Sequence, residues 1–229
     1  MITVVTWLWG NLYAAAHVNS LARQVKRHYA RPHTFRCVTN QPEGVECEII
    51  PDREDFKGTP SPHGGQFPTC YRRLILWHPD AARRFGERIV CLDLDMVLTA
   101  DVTPLWDRPE DCVLLRDPLY PTQVNGSMVL LTAGARPQVW TDFRPDTSPA
   151  RARAAGKRGS DQGWISYVLP NEATWGPEDG VYSYRKDVVP RRGALPEGAR
   201  VVSFHGAVKP WTLRFSDWID KQNGHALPL

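Results

Sequence analysis

The order of strand-like and helix-like patterns near the amino terminus limits the folds open to this chain more than any other feature. Residues 2–9 are mostly β-branched and aromatic, which is typical of a buried strand. Apolar residues then recur at helical spacing from Val18 to Tyr29, and short strand patterns follow at 33–40 and 47–51. A strand, a helix and a strand at this spacing indicate a βαβ unit, whose strands lie parallel. The sequence therefore predicts an α/β fold with a mainly parallel central sheet.

Length and composition indicate the number of domains and the cellular compartment. A chain of 229 residues with 42% hydrophobic residues predicts one domain over 1–229 with a substantial core. The formal net charge of +3 is too small to indicate nucleic-acid binding by itself. The five cysteines include no CxxC pair, which favours a reducing compartment. The first ten residues lack a basic segment and a long apolar run, so we expect a cytoplasmic protein without a transmembrane segment.

The remaining segments follow from local patterns. Residues 52–68 are rich in proline and glycine and predict a loop, and the polar, basic stretch 144–160 also predicts a loop or a mobile segment. Helices are predicted over 69–77, over 135–143 and from Ser160 or Asp161 onward. Strands are predicted over 89–99, 112–117, 125–131, 181–184 and 200–205.

The strand "IVCLDLDMVLT" (89–99) carries two acidic residues, Asp93 and Asp95. Residues two apart in a strand point to the same side, and at the carboxyl end of a strand that side opens on a crevice. Two carboxylates so close repel each other unless a cation lies between them, and a hard divalent ion with oxygen ligands fits. The alternative without chemistry is a solvated or capping pair at a strand end.

The same stretch also fits phosphatase-like hydrolases, in which Asp93 would attack a phosphoryl group. That chemistry needs a downstream lysine and a further acidic pair to hold magnesium. The adjacent acidic pairs after residue 95, at 110–111 and 178–179, stand in proline-rich turn sequence rather than after an apolar strand. The sequence therefore disfavours this alternative.

Six segments together resemble one enzyme family. They occur in the order "TWLWGNLYAAAHVNSL", "CYRRLIL", "CLDLDMVLTADVTPLW", "NGSMVLL", "GSDQGWI" and "FHGAVKPW". The joint pattern spans residues 3–211 and resembles the retaining GT-A glycosyltransferases typified by glycogenin and by bacterial lipopolysaccharide galactosyltransferases. The resemblance implies a single GT-A (Rossmann-like) domain. It also implies metal-dependent transfer of a hexose, from UDP-glucose or UDP-galactose, to an acceptor hydroxyl with retention of configuration.

The resemblance further implies a metal site. Its ligands would be Asp93, Asp95 and His205, and a mixed oxygen and imidazole site suits Mn²⁺, with Mg²⁺ as a substitute. Lys209 and the backbone at Gly206 would approach the diphosphate. Gly206 directly follows His205 here, whereas the family often has one residue between them. The alternative for His205 is a core histidine at a strand end.

The nucleotide and diphosphate contacts are also assigned by the resemblance. Tyr13 would stack on the uracil, and the backbone of Thr6 and Trp7 would line the base and ribose, although Tyr13 packing against the helix start is the simpler alternative. Arg73 would contact the diphosphate and donor sugar, with Arg72 as the competing choice, since adjacent helical residues face about 100° apart.

The catalytic residues implied by the resemblance are Asp161 and Gln162. Asp161 would bind donor-sugar hydroxyls, and Gln162 would lie beside the anomeric carbon on the face that the acceptor attacks. Asn125 and Ser127 would lie near the sugar. Because glutamine is a poor nucleophile, front-face departure and attack is the expected retaining route. An N-cap pair is the alternative for residues 161–162.

The acceptor is left open by the sequence. The basic stretch 151–158 is either a solvated surface or a contact for an anionic acceptor. A glycan or a lipid-linked sugar is favoured over nucleic acid as the acceptor. A nucleotide-sugar-binding protein without turnover is the remaining alternative, although binding alone would not require Asp161 and Gln162.

Overall fold

The computed structural model describes residues 1–60, 70–213 and 218–219 and contains two β-sheets. Its strands are β1 (Ile2–Leu8), β2 (His33–Thr39), β3 (Glu48–Ile50), β4 (Arg88–Leu92), β5 (Met96–Leu98), β6 (Cys112–Arg116), β7 (Val124–Thr132), β8 (Ala173–Trp175), β9 (Val181–Ser183) and β10 (Val201–Ser203). The larger sheet has seven strands in the order β3-β2-β1-β4-β7-β6-β8. Strand β7 runs antiparallel to β4 and β6, and the other neighbours are parallel. The predicted α/β fold with a mainly parallel sheet is confirmed.

The smaller sheet, in the order β5-β10-β9, was not predicted. It exists because the strand predicted over 89–99 is divided in two. Strand β4 ends at Leu92 and pairs with β1 and β7, whereas β5 begins at Met96 and pairs with β10. A turn joins them, closed by the Met96 amide donating to the Asp93 carbonyl oxygen at 3.2 Å. Asp93 and Asp95 thus lie in this turn, and the expectation that they share one side of a continuous strand is wrong.

The helices connect the strands and cover both faces of the larger sheet. They are α1 (Ala15–His28), α2 (Ala82–Phe85), α3 (Thr103–Trp106), α4 (Gln138–Thr141), α5 (Ser148–Ala154) and α6 (Asp161–Val168). The helix predicted over 69–77 is present from Cys70 to Trp77, wound as a 3-10 helix. The predicted loop over 52–68 has no helix or strand in its described part, up to residue 60; residues 61–69 lie outside the described residues.

Helix α5 corrects the loop predicted over 144–160. Its buried side consists of Ser148, Pro149 and Ala152, which are too small and too polar to give an apolar periodicity. The Ser148 hydroxyl accepts a hydrogen bond from the Arg144 amide at 2.8 Å, and α5 packs against α6. Packing against a neighbouring helix, rather than the local pattern, therefore specifies this helix.

Alternation along β1 builds two hydrophobic layers. Val5 and Trp7 face the side covered by the 3-10 helix, α4 and α6, whereas Val4 and Leu8 face the side covered by α1. Every residue of β1 is buried, as expected for a central strand covered on both faces. Among the described residues, no helix has both the length and the apolar character needed to cross a membrane.

Candidate active site

A cavity of about 580 Å³ opens where β1 and β4 end. These strands are parallel neighbours, so the chain leaves both at the same edge of the sheet. The walls of the cavity include Trp7, Trp9, Asn11, Tyr13, Arg73 and Asp93. Aromatic walls with a few charged groups at one end are typical of a site for a flat, partly anionic ligand.

A buried ion cluster forms one end of the cavity. The Arg73 guanidinium donates to both Asp93 and Asp161, through Nη1 to the first and through Nε, at 2.9 Å, to the second. Only 8% of the Arg73 side chain is exposed. Burial alone would disfavour its charge, but the two carboxylates outweigh burial and raise the pKa of Arg73. Arg73 therefore stays charged and joins the predicted donor-sugar residue Asp161 to the first aspartate of the Asp-x-Asp pair.

Arg72 has a different environment. Its Nη1 donates to Asp52 at 2.7 Å, and both side chains are almost fully buried. The guanidinium also lies over the Trp9 ring, 4.8 Å from its centroid. Arg73, and not Arg72, is thus the arginine that reaches the two acidic site residues.

The "NGS" segment in β7, residues 125–127, contacts the ion cluster. The Ser127 hydroxyl donates to Asp93 at 2.7 Å, and the Asn125 side-chain oxygen accepts from the Ser127 amide at 2.9 Å. Gly126 leaves room for the guanidinium, because a Cβ there would lie 2.9 Å from Arg73 Nη2. The Asn-Gly-Ser order is therefore suited to hold Asp93 and admit Arg73.

The second aspartate of the pair meets the carboxyl-terminal segment. Oδ2 of Asp95 accepts from Lys209 Nζ at 2.5 Å and from the Tyr13 hydroxyl at 3.2 Å. Burial and the nearby charge of Asp93 raise the pKa of the Asp95 carboxyl. The Lys209 ammonium opposes that shift, so the site favours a positive charge beside Asp95.

An aromatic contact holds this segment in place. The Trp211 ring lies 4.1 Å from the His17 ring and 5.6 Å from the Tyr13 ring, measured between centroids. Lys209 Nζ also lies 5.8 Å from the centroid of Tyr13. Tyr13 is thus both a wall of the cavity and a packing partner of His17, near the start of α1, and of Trp211; its stacking on a uracil stays a prediction.

A buried acid, Asp117, was missed by the sequence analysis. One of its oxygens accepts from the Leu119 and Tyr120 amides at 2.8 and 2.9 Å. The other accepts from the side-chain amides of Asn125 and Gln162 at 3.4 and 3.5 Å. It directly follows β6, just as Asp93 directly follows β4, and that sequence signal could have identified it. Asp117 therefore orients the predicted catalytic glutamine.

The hydrogen-bond partner of His205 is not one of the two aspartates. Its Nε2 is 2.8 Å from the Ser183 hydroxyl in the smaller sheet. Burial lowers its pKa, a shift that the charge of Asp117 opposes. The following residue, Gly206, has φ +80°, and a Cβ added there would meet no atom within 4 Å, so backbone conformation alone favours glycine at this position.

The structure does not bring the predicted metal ligands together as one group. Within residues 1–60, 70–213 and 218–219, no group of three or more histidine, cysteine, aspartate and glutamate side chains is close enough to hold an ion. The carboxylates instead contact cationic side chains, Asp93 with Arg73 and Asp95 with Lys209. Two carboxylates and an imidazole have the donor chemistry that suits Mn²⁺, but the His205 imidazole contacts Ser183 rather than the aspartates.

The two remaining predicted binding residues lie in β1. The Thr6 side chain is fully buried and donates to the Leu92 carbonyl oxygen at 2.9 Å, which fastens β1 to β4 below the cavity. Trp7 is a wall of the cavity. Trp9 and Gln41 are also walls, and the sequence analysis assigned neither of them.

The fold is similar to that of solved glycosyltransferases. The galactosyltransferase LgtC, crystallised with donor and acceptor sugar analogues, has 16% identity and a TM-score of 0.63, and the similarity covers 99% of this chain and 96% of that chain. The glycosyltransferase GlyE from Streptococcus pneumoniae TIGR4 has 13% identity and a TM-score of 0.56, covering 93% of this chain and 56% of that chain. The bifunctional glycosyltransferase WbbM has 15% identity and a TM-score of 0.52, covering 92% and 46% respectively.

Sequence comparison adds nothing to these structural similarities. No protein-family profile matches the chain, and no curated protein matches it significantly. At the identities found, similarity of structure establishes the fold, which is the GT-A fold expected from the sequence.

Proposed function

We propose that this protein is a metal-dependent glycosyltransferase that moves a hexose from a UDP-linked sugar to an acceptor hydroxyl with retention of configuration. The observation that carries the proposal is the buried cluster of Asp93, Arg73 and Asp161 at the end of an aromatic-walled cavity. A glycosyltransferase fold surrounds this cluster. Binding of a nucleotide alone would not require the acidic residue at position 161.

The nucleotide end of the donor binds in the cavity. Tyr13 and Trp7 are walls that offer aromatic surface to a flat base. Arg73, another wall, and Lys209, which lies beside Tyr13, supply positive charge for the diphosphate. Because Arg73 also contacts Asp161, the sugar of the donor points toward Asp161.

Asp93, Asp95 and His205 are the proposed metal ligands. When bound, the ion would neutralise charge that builds on the departing diphosphate. Oδ2 of Asp95 accepts from Lys209, so a bound ion would replace the ammonium as the positive charge beside Asp95. Lys209 would then be free to contact the diphosphate.

Asp161 and Gln162 act at the sugar end. The Asp161 carboxylate, fixed by Arg73, accepts hydrogen bonds from donor-sugar hydroxyls. Gln162 lies beside the anomeric carbon, with its amide oriented by Asp117. The bond from the anomeric carbon to the diphosphate breaks, the acceptor oxygen bonds to that carbon on the same face, and the acceptor proton passes to a diphosphate oxygen. Gln162 forms no covalent intermediate.

The metal assignment is tested by thermal denaturation with UDP and Mn²⁺. At a hundredfold excess over Kd, UDP should raise the Tm of the wild type by about 5–10 °C. Asp93→Ala, Asp95→Ala and His205→Ala should each lose the Mn²⁺-dependent part of this shift, whereas Asp101→Ala, at an exposed site, should keep it. An undiminished shift in the presence of EDTA would refute the metal assignment.

The stereochemistry is tested by NMR of the product. With an α-linked UDP-hexose donor, the new glycosidic bond should also be α, as judged from its anomeric coupling. A β-linked product would contradict both retention and the role given to Gln162. Release of UDP in the absence of acceptor separates an enzyme from a protein that only binds nucleotide sugars, since the latter releases none.

A further inference from the structure

Three basic side chains converge on the segment 118–122, which follows Asp117. Lys157 Nζ donates to the Thr122 carbonyl oxygen and Lys186 Nζ to the Pro118 carbonyl oxygen, each at 3.0 Å. Arg158 lies over the Tyr120 ring, 4.7 Å from its centroid, and donates to the Tyr120 hydroxyl at 3.0 Å. We call Lys157, Arg158 and Lys186 the basic rim.

The basic rim forms no ion pair among the described residues. Every hydrogen-bond partner of its ammonium and guanidinium groups named above is neutral, and within the described parts of the chain none of the three forms an ion pair. Arg108, Arg116 and Arg136, by contrast, each pair with a glutamate. Three positive charges thus lie along one short segment without an ion pair to any described residue.

The basic rim is fixed to the catalytic end of the site. The buried Gln123 side chain accepts from the Arg158 amide at 2.9 Å and donates to the Arg158 carbonyl oxygen at 2.8 Å. That carbonyl also packs on the first turn of α6, where a Cβ at Gly163 would lie 2.9 Å from it. Because Gln162 belongs to the same turn, these contacts fix the position of the Arg158 backbone relative to the proposed catalytic glutamine.

One residue of the rim, Lys186, is a wall of a second cavity of about 170 Å³. The walls of this cavity also include Asp117, Pro118 and Asp187. None of the three rim residues is a wall of the larger cavity proposed for the donor. The rim therefore lies outside the proposed donor cavity.

We infer that the acceptor carries a phosphate group close to the sugar hydroxyl that is glycosylated, and that the basic rim binds this phosphate. This inference rests on the proposed function. A planar guanidinium already oriented by Tyr120 presents its donors to a phosphate with little loss of conformational freedom. Two flanking ammonium groups add charge-assisted hydrogen bonds to a dianion. A neutral acceptor would form no ion pair with these three side chains.

The test compares two sugars that differ in charge. Glucose 1-phosphate and methyl α-glucoside are titrated by calorimetry into protein saturated with UDP and Mn²⁺, so that the donor cavity is filled. The phosphate ester should bind at least about tenfold more tightly than the neutral glycoside. The triple variant Lys157→Gln, Arg158→Gln, Lys186→Gln should abolish this difference.

A charge-matched control separates the rim from net charge. The control variant combines Arg83→Gln in α2, Arg144→Gln directly after Phe143, and Arg151→Gln in α5, and it removes the same number of positive charges. In the wild type, Arg151 lies over the Tyr167 ring. The control variant should keep the tenfold difference. Equal binding of the two sugars by the wild type, binding of neither, or a difference that survives in the rim variant would each overturn the inference.

Two further measurements complete the design. UDP release without acceptor reports on the proposed function and should be unchanged in the rim variant. If the wild type releases no UDP, the proposed function is refuted, whatever the rim binds.

A polyprenyl-linked sugar phosphate in phosphatidylcholine vesicles identifies the source of the phosphate. Tighter rim-dependent binding to those vesicles than to glucose 1-phosphate indicates a lipid-linked acceptor, and equal binding indicates a soluble sugar phosphate.

Discussion

At the scale of single residues, the adjacent arginines at positions 72 and 73 contact different partners although they lie in the same helical turn. The Arg72 guanidinium pairs with Asp52 and lies over the Trp9 ring. Arg73 contacts Asp93 and Asp161 at the cavity proposed for the donor. Both arginines are buried and paired, so burial alone does not reveal which of them contacts the proposed site.

Substitution of each arginine by methionine separates the two roles. Arg72→Met leaves the Asp52 carboxylate buried without a partner and should cost about 3 kcal/mol of stability. Its donor turnover, per folded molecule, should remain within about twofold of the wild type. Arg73→Met should lower kcat by about 100-fold, because a charge aimed at the diphosphate is lost. Urea denaturation and UDP release measure the two effects; normal turnover in folded Arg73→Met protein would contradict the assignment.

Individual site residues were predictable where their type and position were unusual in the sequence. Asp93 and Asp95 stand out because they interrupt an apolar run. Asp117 is equally close to a strand end, but a single acidic residue before proline is also typical of a turn. Its contacts with Asn125 and Gln162 are created by the fold and could not be predicted from the sequence. The choice between Arg72 and Arg73 likewise required the orientation of the 3-10 helix.

At the scale of elements, the loop before α6 determines where Gln162, the proposed catalytic glutamine, lies. Gly159 has φ +86°, and a Cβ there would lie 2.5 Å from Gln162 Cγ. Gly156 has a similar φ of +77°, but its Cβ would meet no atom within 4 Å. The two glycines therefore share the same backbone requirement and differ in their contact with Gln162.

This difference gives a matched pair of substitutions. Gly156→Ala and Gly159→Ala should each cost about 1 kcal/mol, since alanine is strained at positive φ. Only Gly159→Ala should also displace the Gln162 side chain and lower kcat by at least about tenfold, with the donor KM unchanged. Steady-state kinetics with a UDP-sugar measure the effect. Similar kcat values for the two variants would show that Gly159 is required only for the backbone turn.

Elements specified by local patterns were predicted well, and those specified by distant contacts were not. Strand β1 and helix α1 carry clear periodicity and begin within a few residues of their predicted limits. Helix α5 buries only small residues, and β8 has only three residues, so neither has a strong local signal. The break between β4 and β5 arises because the two strands pair with different partners, which a local pattern does not report.

At the scale of the whole molecule, the resemblance of six ordered segments predicted the fold, and the comparison with solved structures confirms it. The pairing within the smaller sheet could not be predicted in this way. Its strands β5, β9 and β10 fall within segments predicted as strands, but a local pattern does not report which strands pair. That sheet carries Ser183, the partner of His205, so the position of a proposed metal ligand depends on this pairing.

The core also makes a prediction about global stability, because three cysteines are buried in it. Burial raises the pKa of the Cys37, Cys91 and Cys112 thiols to about 12, from 9.0 for an exposed thiol. A thiol with a raised folded-state pKa contributes stability that is complete below the unfolded pKa and is lost as pH rises above it. At pH 10, each buried thiol should therefore cost about 1.4 kcal/mol relative to pH 7.5.

The measurement is urea unfolding between pH 7.5 and 10 in the presence of a reducing agent. The wild type should lose stability above pH 9, and the triple variant Cys37→Ala, Cys91→Ala, Cys112→Ala should lose distinctly less over the same interval. The variant starts from a lower stability, since the cavities it creates remove packing, so the slope with pH is the informative quantity. Equal slopes would show that the thiols ionise as readily in the folded protein as in the unfolded chain, and hence that this core admits water.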